Sequence, residues 1–137
     1  VLNGVFFTAA TTLKPTFSNF YPAATTPANS EDVTAFVNDD PLQEYIIASD
    51  ATLGSTLALR KSKVGLTYAT TAAAGSTTTG KSSLQLGIST AATTAKALRV
   101  VRVAEDPENE DQTAANCSVV VKINLHQYTV GSLATGI

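Results

Sequence analysis

Apolar and polar positions alternate along most of the chain with the period of two that a half-buried strand requires. Leu84, Leu86 and Ile88 alternate with Gln85, Gly87 and Ser89. Val119, Val121, Ile123 and Leu125 alternate in the same way with Val120, Lys122, Asn124 and His126. The same reading predicts a strand over Ser55–Val64, with Leu57 and Leu59 on its buried face, and another over about Ala97–Ala104, dominated by Leu98, Val100, Val101 and Val103. Leu42–Ser49 and an N-terminal hairpin of Leu2–Thr8 with Thr12–Ser18 complete the set. Connections too short for a parallel crossover make neighbouring strands antiparallel. Ser30–Phe36 fits a short helix capped by Asn29 or Ser30 and a strand equally well. Tyr21–Ser30, with Pro22 and Pro27, reads as an extended loop. The expected fold is mainly β, α+β at most: one domain over residues 1–137, with an N-terminal hairpin and loops (1–50), an antiparallel meander of about five strands (51–130) and a tail (131–137).

Composition sets what such a sheet can present to solvent. Thr and Ala occur 21 times each and Ser 11 times, while charged residues make up only 15% of the 137 residues. That is well under the ~25% usual in soluble domains, so solubility rests on neutral hydroxyls. The longest apolar runs fall short of a membrane span, and the N-terminus lacks the basic start and apolar stretch of a secretory signal. One His and one Cys remove most zinc patterns and exclude an intrachain disulfide. His126, with no motif around it, reads as a strand residue facing solvent or an interface rather than a catalytic base. Cys117 reads as a small buried hydrophobe.

Two loops invite chemistry. Gly75–Ser82 is a formal match to the Walker A string, which needs a buried strand before it and a helix after it to cradle phosphates. Strand-like alternation follows instead, so a hairpin loop is expected there. The acidic loop around Glu105–Asn116 lacks the glycine and terminal glutamate of an EF-hand and reads as a solvated tip. No metal or other cofactor is expected.

Charge is segregated. Residues 1–59 sum to −5, residues 60–104 to +7 with no acid, and residues 105–137 to −4. If the middle strands are neighbours, their cations converge on one sheet surface suited to a polyanion. Parity predicts that Arg60 points away from the Leu57/Leu59 face and that Lys122, Asn124 and His126 point away from Val121. Arg99 and Arg102 have opposite parity, so one of them lies on the apolar side or beyond the regular part of the strand, unless a bulge intervenes. Asn124 and hydroxyls beside such cations suit exposed RNA bases. Tyr68 and Tyr128 are the nearest candidates for stacking.

The segments STLALRKSKVGL, SSLQLGISTAATTAKALRVVRVAEDP and CSVVVKINLHQYTVGS, within about Thr52–Thr129, resemble the coat proteins of single-stranded RNA bacteriophages in the order and character of their strands. That resemblance implies a subunit whose sheet joins a partner's into a continuous dimer sheet, with genomic RNA against its inner face. Glu105–Asn116 would then meet other subunits around symmetry axes. Members end in two helices that clasp the partner, whereas only Val130–Ile137 follow the last strand here, so dimers are expected to lock in another way. The expectation is a non-enzymatic coat subunit of a virion, assembled in a host cytoplasm. Its partners would be many copies of itself and single-stranded RNA, with no membrane and no small-molecule substrate. Arg60, Lys61, Lys63, Lys81, Arg99, Arg102, Lys122 and Asn124 are the candidate RNA contacts. A pilus or fibre subunit without nucleic acid is the alternative.

Overall fold

The computed structural model describes residues 1–20, 26–28, 33–76, 78–105, 113–126 and 128. It is mainly β and antiparallel, with backbone contacts grouped into two compact units.

The first unit comprises residues 1–40 and 74–83. Its sheet has the order β2-β1-β3, built from β1 (Leu2–Thr8), β2 (Pro15–Ser18) and β3 (Thr34–Val37). The hairpin predicted at the N-terminus is present, with Phe6 opposite Phe17 and Thr8 opposite Pro15. Its turn holds Leu13 at φ 52°. Alternation in β1 sends Val5 and Phe7 inward, where they are buried, as is Ala28. Of the segment that fitted helix or strand, Thr34–Val37 is strand, and residues 29–32 lie outside the described residues.

The second unit comprises residues 41–73 and 84–137. Four strands pair in the order β4-β9-β8-β5: β4 (Glu44–Ala48), β5 (Thr67–Tyr68), β8 (Leu98–Val103) and β9 (Ser118–Ile123). The order departs from that of the chain, because β9 inserts between β4 and β8. A small ladder joins β6 (Thr70–Thr71) to β7 (Gln85–Leu86), and a 3-10 turn follows at Ile88–Thr90. One face of the larger sheet carries the core: Tyr68, Val100, Val119 and Val121 pack with Leu53, Leu86, Ile88 and Cys117. Asp50 fastens the layers beneath. Its Oδ1 accepts the Ile88 amide at 2.9 Å, its Oδ2 accepts the Thr71 hydroxyl at 3.1 Å, and its own amide donates to the Leu86 carbonyl at 3.0 Å.

The strand predicted over Ser55–Val64 is instead a short helix, α1 (Leu57–Lys61), followed by a turn. Leu-Ala-Leu-Arg-Lys is a run of strong helix formers, and the Thr56 side chain caps it by accepting the Leu59 amide at 3.3 Å. Leu57 and Leu59, read as a buried face, are 57% and 50% exposed. Arg60 and Lys61 occupy the last turn, where their charge favours the helix C-terminus. The segment around Leu84–Ser89 keeps only two residues of strand before the 3-10 turn, where the Gly87 carbonyl accepts the Thr90 amide at 2.9 Å. Among the described residues no helix is long and apolar enough to cross a membrane.

Two stability predictions follow from the core. Leu86 is fully buried, so Leu86→Ala is expected to cost about 2–5 kcal/mol in urea unfolding. Ile46→Ala, at a side chain that is 70% exposed, should cost less than about 0.5 kcal/mol. Tyr68 is the second probe. Burial pushes its phenol up to about 12, and its hydroxyl donates to the Lys63 carbonyl at 3.0 Å. Between the unfolded value near 10 and the native value, the unfolded chain has released that proton while the native chain still holds it. Stability is therefore undiminished below about pH 10 and declines as pH rises toward 12. Tyr68→Phe should decline less over that window in pH-dependent urea melts.

Candidate nucleic-acid interface

The face of the larger sheet opposite its core is built by register. Glu44 lies opposite Lys122, Lys122 opposite Arg99, and Arg99 opposite Thr67, so one cross-strand row carries Glu44, Lys122, Arg99 and Thr67. The next row carries Ile46, Val120 and Arg102. Arg99 and Arg102 share this face because β8 bulges. Its register advances from Val100–Val121 directly to Arg102–Val120, leaving Val101 as the extra residue. Beyond the bulge Val103 returns to the core side, opposite Val119. The parity conflict between the two arginines is thereby removed, and three cations stand on two adjacent rows.

Glu44 sits among them. It lies 3.9 Å from the Arg102 guanidinium and 3.6 Å from the Lys122 ammonium, with all three side chains partly solvated. Pairs of this kind contribute about 0–1 kcal/mol and are screened by salt. Among the described residues, Glu44 is the one acid on the two rows that carry Arg99, Arg102 and Lys122. Val120 is buried even though it belongs to this face. It lies between Ile46 and Arg102 in the register, beside an arginine stem long enough to cover apolar surface.

The other predicted contacts lie outside these two rows. Arg60 and Lys61 sit on α1 and Lys63 in the turn after it, not on a strand. Arg60 directs Nη1 to the Gly54 carbonyl at 3.3 Å. Lys81 lies in the loop of the first unit. Asn124 is buried, its side-chain amide donates to the Lys96 carbonyl at 3.1 Å, and its backbone amide donates to the Ala97 carbonyl. Its side chain holds the loop before β8, and its burial keeps it from a base. Tyr68 is a core residue. Tyr128 is exposed beside His126, whose Nδ1 accepts the Tyr128 amide at 3.2 Å. The Thr67 hydroxyl, also in the basic row, is taken up by the carbonyls of Ala92 and Thr94.

The Walker-like string has a different local structure from a phosphate loop. The Ser76 amide donates to the Lys81 carbonyl at 3.0 Å, the Gly80 amide to the Ser76 carbonyl at 2.8 Å, and Gly80 takes φ +66°. No helix follows Lys81, and the two strand residues before the string, Thr70 and Thr71, are exposed. The arrangement is the hairpin-like loop expected, without the helix N-terminus that phosphate binding requires. Of the acidic loop, residues 106–112 lie outside the described residues, as do residues 129–137 of the tail. Among the described residues no group of His, Cys, Asp and Glu side chains is placed to hold a metal ion.

Comparison with protein-family models, with curated proteins and with solved structures found no match.

The position of Glu44 yields a direct test. Glu44→Gln releases Arg102 and Lys122 from their shared carboxylate. Binding to a heparin column should strengthen, read as elution at higher salt, while urea stability should change by no more than about 1 kcal/mol.

Proposed function

We propose that the chain is a structural coat subunit that assembles into a shell and packages single-stranded RNA against the Arg99–Arg102–Lys122 face. The supporting observation is the bulge at Val101, which gathers three cations onto a sheet surface that strict alternation would have split between solvent and core. A triplet of cations is a weak site by itself. Repeated over many copies facing one enclosed polymer, it neutralises phosphate without high affinity at any single subunit. Arg60 and Lys61 belong to α1, Lys63 to the turn after it and Lys81 to the first unit, so the sheet face itself offers Arg99, Arg102 and Lys122. The reading draws its shell geometry from the resemblance to bacteriophage coat proteins. A dimer sheet would continue at β4, the outermost strand on one side, where Ile46 is exposed. The other side is less available, because Thr67 exchanges backbone hydrogen bonds of 3.0 Å with Ala92.

Negative-stain imaging with an absorbance measure of nucleic acid tests the reading. Particles containing RNA are expected from the wild type, with a marked loss of RNA in the Arg99→Ala/Arg102→Ala/Lys122→Ala variant. On single-stranded RNA, each cation removed should reduce the slope of log affinity against log salt by about 0.7. Monomers free of RNA would overturn the proposal. Fibres without nucleic acid would favour a pilus or fibre subunit instead.

A further inference from the structure

All five phenylalanines of the chain, Phe6, Phe7, Phe17, Phe20 and Phe36, fall within its first 40 residues. Three of them share one face of the β2-β1-β3 sheet. Phe6 lies opposite Phe17 on one side and Thr34 on the other, and Gly4 lies opposite Phe36. Gly4 is what lets the rings settle. A Cβ there would collide with the Phe17 ring, which covers the glycine, and the Phe17 and Phe36 rings approach with centroids 6.0 Å apart. The opposite face already buries Val5 and Phe7, so these outer rings have no core to enter. Phe6, Phe17 and Phe36 stay 42%, 63% and 50% exposed.

We infer that this phenylalanine face is a contact surface that takes a second copy of the chain. The seven positions on it, Gly4, Phe6 and Thr8 of β1, Pro15 and Phe17 of β2, and Thr34 and Phe36 of β3, carry no ionisable side chain. Two copies related by a two-fold axis therefore bring ring against ring with no like charges opposed and no charge buried unpaired. A nucleic acid would find no counter-charge on the same face. The exposed ring surface is roughly 300 Å² per copy, taking about 200 Å² for a whole phenylalanine. A stable isolated dimer needs about 800 Å² per partner, so the contact is a weak one that shows as association growing with concentration. This inference is independent of RNA and of the basic face in the other unit.

The test is sedimentation velocity of the full chain over a concentration series. Wild type is expected to associate. Phe36→Lys, which sets like charges against each other, should associate about tenfold more weakly with unchanged circular dichroism. An equimolar mixture of the Phe36→Lys and Phe36→Glu chains should recover association. A Phe36→Lys chain that sediments as wild type, or a mixture that shows no recovery, overturns the inference, as does wild-type association that appears only on adding single-stranded RNA. If Phe36→Lys loses its sheet, hydrogen exchange of the wild type decides. Amide protection in β1 and β3 that rises with concentration supports the contact, and protection that does not change with concentration overturns it.

Discussion

The second unit depends on β9. Hydrogen-bonded on both edges, to β4 and to β8, it supplies the inner positions Val119 and Val121 around which Tyr68, Val100, Leu53 and Leu86 assemble. A strand in this position cannot slip by one residue without moving its whole buried set to the other face. That constraint also fixes the position of Lys122, which lies between Glu44 and Arg99 because Val121 must lie between Tyr45 and Val100. The charged row is therefore a by-product of core packing. Its side chains need little stabilisation of their own, consistent with ion pairs as long as 3.6 and 3.9 Å.

The two units bury apolar surface unequally. In the second, the sheet faces a core reinforced by the Asp50 hydrogen bonds, and its other side mixes charged residues with Ile46 and Val120. In the first, a sheet of only three strands has its apolar residues on both faces. The inner side buries Val5 and Phe7 while the outer side exposes three rings. Contiguous exposed aromatics on a chain otherwise clothed in Thr, Ser and Ala stand out against a surface that is neutral but hydroxyl-rich.

Much of the fold was legible because alternation is a strong signal where one side of a strand is buried. The N-terminal hairpin, β4 and β8 lie within the predicted segments, and β9 covers Ser118–Ile123 of the alternation read as far as His126. Strand order was not legible, since nothing local tells β9 to insert between β4 and β8. α1 was misread for a specific reason. Leu57 and Leu59 alternate as a strand would, yet Thr56 as a cap and five good helix formers favour a helix, and neither leucine had a buried face to fill. The burial of Asn124 was not legible, because alternation says nothing of the loop before β8, whose Lys96 carbonyl accepts its side-chain amide. The phenylalanine face was missed although its signal was present. Val5, Phe6 and Phe7 are consecutive and apolar, and a strand with no polar side has no outward face by pattern alone.

The bulge at Val101 makes the electrostatics of this sheet depend on chain length as well as on residue identity. Arg99 and Arg102 are three positions apart, an odd interval, and only the extra residue between them turns that interval into common orientation. Related chains could thus gain or lose a cation on this surface through a single-codon insertion or deletion, with every charged residue retained. A comparison of such chains that aligned charges by letter and ignored spacing would miss the change.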